Sequence, residues 1–170
     1  DALAAPFAIE VSDDDQILVV TAAGSDKLFT VNPDTGKVLG RVNVDSVPRG
    51  IALESQNAGK VLRAWVHNSI ANTVSMVDLE NPSLPVVAKT IALEDPTPVE
   101  YKKGRAVFNS AKASTSGTFS CASCHPDGHT DQLLWVLKTP VVTGGNQIMP
   151  RSTMPWRGWR DTAPLHWAGV

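Results

Sequence analysis

The chain has 170 residues and a formal charge of -2, with ordinary apolar content at 42%. That length sets one domain, or two small ones, as the starting point. The near-neutral balance gives no basis for a nucleic-acid partner, and no apolar run approaches the ~18 residues of a spanning helix.

The opening Asp-Ala-Leu-Ala-Ala-Pro-Phe has neither the basic start nor the apolar stretch of a signal peptide. Asp1 reads as a mature terminus after processing or as a cut within a longer chain. Residues 1 to about 95 read as β-structure. Ile17-Leu18-Val19-Val20 is a short apolar strand, and Asp26 to Asn32 alternates. Pro33-Asp34-Thr35-Gly36 is a turn that joins antiparallel strands, and Lys37 to Val44 supplies the next strand. Short strands at this spacing suggest a sandwich, barrel or propeller.

This half also repeats. Asp26-Lys-Leu-Phe-Thr-Val-Asn32 aligns with Asn72-Thr-Val-Ser-Met-Val-Asp78, 46 residues on. Ala5-Pro-Phe-Ala-Ile-Glu-Val11 aligns with Val47-Pro-Arg-Gly-Ile-Ala-Leu53, 42 residues on, which implies about four extra residues near Gln56–Gly59. The pattern resembles the YVTN-type β-propeller repeat. That resemblance implies about two antiparallel blades in residues 1–95. Two blades cannot close a ring of about four to eight, so the missing ones are expected from further sequence or from other chains.

The grammar changes at Glu94-Asp-Pro-Thr-Pro98, which reads as a linker into a second segment, 96–170. Residues 101–112 suit a short helix and 113–120 a loop. The last fifty residues are rich in Trp, Pro, Gly and Arg and show no strand alternation. A small, mostly helical and looped domain organised around a prosthetic group is expected there.

Cys121-Ala-Ser-Cys124-His125 carries the chemistry. These are the two cysteines of the chain, and Cys-x-x-Cys-His is the attachment signature of haem c. Two thiols bond the haem vinyl groups, and the adjacent histidine reaches one axial position of the iron. A thioredoxin-like pair would need a βαβ setting, and a zinc site would need a second, spaced ligand pair. A simple disulfide loop is the third rival. The expected cofactor is one covalent haem c, with His125 as axial ligand. Haem c is attached outside the cytoplasm, so an exported, periplasmic or equivalent location follows.

Met149, Met154 and His166 are candidates for the sixth iron ligand. A Met thioether would raise the potential and suit electron transfer. His129 lies one turn from His125 and is expected on the same side of the ring. An open site, or a ligand from outside the chain, remains a further alternative. Arg151, Arg157 and Arg160 suit haem propionates, whose carboxylates match the guanidinium fork. Trp135, Trp156, Trp159 and Trp167 suit the apolar walls of a haem site. His67, in Trp65-Val-His-Asn68, reads as a strand histidine, and Thr143-Gly-Gly-Asn146 lacks the setting of a phosphate loop.

The second half resembles the dihaem cytochrome c peroxidase / MauG family. The matching residues are Lys103-Gly-Arg-Ala-Val-Phe108, the stretch from Cys121 to Gly128, and Thr153-Met-Pro-Trp-Arg-Gly158 continuing to Gly169. Trp156 stands where the family usually has Leu, Leu165 replaces an aromatic, and Ala168 replaces an Asp. Arg157 matches the family arginine. The resemblance implies a peroxidase-like haem oxidoreductase. It also implies a second haem beyond Val170 or in a partner, and a redox partner protein or other haem subunit. A pure electron-transfer subunit, and a scaffold that wires a partner complex, are the alternatives.

Overall fold

The computed structural model describes residues 2–56, 59–138 and 148–158. The chain divides into two compact units, Asp1–Ser120 and Cys121–Val170.

The first unit is built from two four-stranded antiparallel meanders. Strands β1 (Pro6–Val11), β2 (Leu18–Ala22), β3 (Lys27–Val31) and β4 (Val38–Asn43) pair in sequence order. So do β5 (Pro48–Ser55), β6 (Val61–Asn68), β7 (Thr73–Asp78) and β8 (Val86–Ala92). The aligned repeats occupy equivalent places: Ala5–Val11 and Val47–Leu53 cover first strands, Asp26–Asn32 and Asn72–Asp78 third strands. The extra residues of the second copy lengthen its first hairpin, whose strands have eight residues each against six and five.

Turn chemistry fixes the register of β3 and β4. Asn32 Oδ1 accepts from the amide and the hydroxyl of Thr35 at 2.8 and 2.9 Å. Gly36 takes the positive φ of 66° that closes the turn, and its amide bonds the Asn32 carbonyl at 2.9 Å.

One core joins the meanders. Ile17, Val19 and Leu28 from the first pack with Val61, Ala64, Val66, Val77 and Leu79 from the second. Each fully buried Leu or Val of this kind stabilises the fold by roughly 1.5–3 kcal/mol. Val20, Ala22 and Phe29 form a second cluster on the opposite face. Apolar packing on both faces explains why β2 reads as a continuous apolar run. A polar interlock adds to this core. The Thr30 hydroxyl donates to the Pro82 carbonyl at 2.6 Å and accepts from the Gly40 amide at 3.0 Å.

Helix α1 (Val99–Asn109) follows Pro98, whose fixed φ of -55° suits a helix entry. Asp95 holds the approach: its carboxylate accepts from the Thr97 amide at 2.9 Å and pairs with Lys102 Nζ at 2.9 Å. After a short 3-10 turn at Ala111–Ala113, this segment is tied back to the strands. The Ala111 amide bonds the Gly24 carbonyl at 2.8 Å, and Lys112 pairs with Asp26 at 3.0 Å.

In the second unit, helix α2 (Cys121–Cys124) is a single turn, and β9 (Leu134–Lys138) pairs antiparallel with β10 (Ile148–Ser152). The expected architecture, a partial propeller followed by a mostly helical and looped cytochrome domain, is therefore corrected. No closed propeller forms among the described residues, and three antiparallel sheets dominate. Described α-helix is confined to residues 99–109 and 121–124. Local repeats specify a meander but not how many meanders assemble. The β9–β10 hairpin escaped sequence reading because Pro150 interrupts its second strand. A two-stranded ribbon has only edge strands, where proline is tolerated.

Two outcomes are expected. A Cβ at Gly40 would lie 2.5 Å from the Pro82 carbonyl oxygen and 2.5 Å from Pro85 Cδ. Gly40→Ala should lose about 1–3 kcal/mol in a denaturant titration. Gly104→Ala, where a Cβ meets nothing within 4 Å, should gain roughly 0.5–1 kcal/mol from helix propensity.

A third outcome concerns acid. The Lys102 ammonium beside Asp95, with the Thr97 amide, lowers its carboxyl from 3.8 to about 2. This depressed value favours the folded state above the ordinary carboxylate range, and the contribution disappears as pH falls through about 2. In a carbon-13 NMR titration Asp95 should have its midpoint near 2, and Lys102→Met should move it upward.

Candidate functional site

The site is assembled from one helical turn, the loop after it and a returning segment of the same unit. Cys121 and Cys124 begin and end α2, and the His125 amide donates to the Cys121 carbonyl at 3.0 Å. Two thiols and an imidazole are thus spaced by a single turn of backbone. Cys121 is exposed, Cys124 is half-buried, and both are free thiols. Burial pushes the Cys124 thiol up, and the neighbouring Asp131 carboxylate and Cys121 add to the shift.

The loop then reverses sharply. Pro126–Gly128 forms a 3-10 turn in which Asp127 takes φ 52° and Gly128 φ 77°. The Gly128 amide bonds the His125 carbonyl at 3.0 Å, and the His129 amide bonds the Pro126 carbonyl at 2.9 Å. This turn carries the His129 carbonyl round to His125 Nδ1, 3.3 Å away. A carbonyl only accepts, so this contact calls for a proton on Nδ1, which in the neutral ring leaves the lone pair on Nε2. A histidine that binds metal through Nε2 commonly donates its other N–H to such a carbonyl.

The returning segment closes over the loop. The Trp156 amide bonds the Gly128 carbonyl at 2.8 Å, and Arg157 Nη2 bonds the Asp127 carbonyl at 3.1 Å. The Trp156 ring lies 5.1 Å from the His125 ring, tilted 48°. Thr130 Oγ1 bonds the Thr153 carbonyl at 2.8 Å, further pinning the two segments.

Asp131 organises the other side. Its amide bonds the Cys124 carbonyl at 3.1 Å, and its carboxylate accepts from the Leu133 amide at 3.0 Å and Trp135 Nε1 at 2.8 Å. Burial raises its carboxyl, but the Leu133 amide, Thr153 and the Trp135 indole outweigh that and hold it below the usual range. Sequence reading missed Asp131. Its role depends on an indole four residues away, and the only local signal is an acidic residue entering a turn.

The expected site residues divide accordingly. Cys121, Cys124, His125, Trp156 and Arg157 share this neighbourhood. His129 contributes its main-chain carbonyl, while its side chain is exposed. Met154 is 46% exposed on the returning segment. Met149 pairs with Leu137 through the β-ladder. His166, Trp159, Arg160, Trp167 and the Thr143–Asn146 stretch lie outside the described residues. His67 sits exposed on β6, paired with Gly50 and Val74. Among the described residues, no group of three or more His, Cys, Asp or Glu is placed to hold a metal ion. No helix among them is long and apolar enough to cross a membrane.

No protein-family model matches the chain, and no curated protein does. Among solved structures it is similar to hydrazine synthase of Kuenenia stuttgartiensis, with a TM-score of 0.44 and 28% identity. The likeness covers 53% of this chain and 24% of that one, so the chain spans about a quarter of its neighbour's length.

Proposed function

We propose that the chain is an exported haem c protein with a redox role. Cys121 and Cys124 hold one haem as thioethers, and His125 binds its iron through Nε2. The observation that carries this reading is the 121–125 turn with its oriented imidazole: two free thiols and a histidine whose Nδ1 is already engaged by a main-chain carbonyl. These residues fit the group. A thiol adds its sulfur and hydrogen across a vinyl double bond with no leaving group and no oxidant. A zinc ion would require three or four protein ligands together, whereas an axial haem ligand needs only one.

The surrounding residues support that chemistry. Burial raises the pKa of Cys124, which lowers the thiolate fraction of that sulfur. Trp156 lies against the imidazole and supplies apolar surface beside it. When bound, the haem supplies one-electron chemistry between ferric and ferrous iron. Electrons would pass to a redox partner protein or another haem subunit.

Whether the role is peroxidase-like or purely electron transfer turns on the sixth iron position. The resemblance of 103–108, 121–128 and 153–169 to the dihaem peroxidase / MauG family favours the enzyme, with a second haem supplied from outside this chain. The carrier reading has Met149, Met154 or His166 as a permanent sixth ligand.

Two measurements decide these points. After maturation in a host that attaches haem c, the denatured chain should exceed its polypeptide mass by one haem and keep its Soret absorption. Cys121→Ala with Cys124→Ala should lose both, and a wild-type chain of bare polypeptide mass rejects the proposal. Ferric protein that is high-spin and reacts with hydrogen peroxide supports the peroxidase-like form. Unreactive low-spin protein supports the carrier.

A further inference from the structure

We infer that Trp156 and Arg157 form a clamp that fixes the rotation of the His125 imidazole, and with it the angle at which that ring meets the iron. The inference rests on the haem reading above. It starts from the loop after α2, whose backbone is strained at Asp127. Asp127 and Gly128 occupy consecutive left-handed conformations, which a residue with a Cβ such as Asp127 adopts less readily than glycine. Their carbonyls are both taken up by the returning segment, Asp127 by Arg157 Nη2 at 3.1 Å and Gly128 by the Trp156 amide at 2.8 Å. Two consecutive carbonyls are therefore gripped by two consecutive residues of the returning segment.

The next carbonyl, of His129, accepts the Nδ1 proton of His125. At 3.3 Å this bond is longer than the usual N–H···O range. Alone it is a weak brake on rotation about the Cβ–Cγ bond. The Trp156 ring, 5.1 Å away and tilted 48°, supplies the second brake. Arg157 also packs its stem over the loop: a Cβ on Gly128 would lie 3.7 Å from Arg157 Cγ. The clamp thus acts twice, by placing the carbonyl that orients the imidazole and by packing against the ring itself. Neither residue need bind the iron; both are positioning residues.

The plane of an axial imidazole controls how the iron d-orbitals split, so the clamp has a spectroscopic readout independent of turnover. The test uses the full chain with haem attached, its content checked by mass. Trp156→Phe should keep the ferric EPR g-values, because a ring remains against His125. Trp156→Ala combined with Arg157→Ala should shift or broaden those g-values at unchanged covalent haem content. Arg157→Lys, which retains a donor for the Asp127 carbonyl, should reverse part of the Arg157→Ala change. A double variant with wild-type g-values and linewidths overturns the inference, as does a Trp156→Phe chain that behaves like Trp156→Ala.

If wild-type protein carries no covalent haem, the haem reading falls and the clamp is judged on the apoprotein by nitrogen-15 NMR of the imidazole. A single Nδ1-protonated tautomer in wild type that becomes a mixture in the double variant sustains the clamp. Identical shifts in the two overturn it.

Discussion

Everything proposed for this chain depends on one backbone hydrogen bond, from the His125 amide to the Cys121 carbonyl. It closes a helical turn over five residues and so fixes the separation of two thiols and an imidazole. Without it, these are three reactive side chains on a flexible strand. With it, they form a set whose spacing does not depend on distant packing. Described residues around the turn orient that set. The His129 carbonyl faces His125 Nδ1, Asp131 ties the end of α2 to the chain beyond it, and the 153–157 segment holds the loop in place.

The first unit is held by different physics. Its stability comes from apolar area shared between two meanders, with Val19 and Leu28 on one side and Ala64, Val66 and Val77 on the other. The polar contacts there serve register and docking. Thr30 and Gly40 admit the β7–β8 connection because glycine leaves room for a backbone to approach. A side chain at position 40 would push apart the two layers that the core draws together. Overpacking and hydrophobic burial oppose each other at that point, and close packing makes the steric term decisive.

Sequence alone made the local features legible. The cysteine spacing, the Asn32–Gly36 turn and the strands of residues 6–92 all follow from short-range patterns. What it could not supply was number and partnership. The repeat correctly aligned first with first and third with third strands. The step to blades of a ring failed, because a repeat says nothing about how many sheets assemble. The same limit hid β10, where Pro150 argues locally against a strand but is tolerated at an edge. It hid Asp131 as well, whose carboxylate matters only once Trp135 is folded against it. The Trp- and Arg-rich tail was a composition signal, and its described residues Trp156 and Arg157 both have partners at the 125–128 loop.

The locality of the 121–125 turn also bears on the order of events in the life of the chain. Its hydrogen bond spans four residues, whereas the Thr30–Pro82 contact joins residues 52 apart. Short loops close in well under a microsecond, and long-range sheet contacts must first meet a larger loss of chain freedom. The thiols and imidazole can therefore come together on a polypeptide whose meanders have not yet formed. Chemistry that needs only the turn is therefore open to the chain before its sheets form.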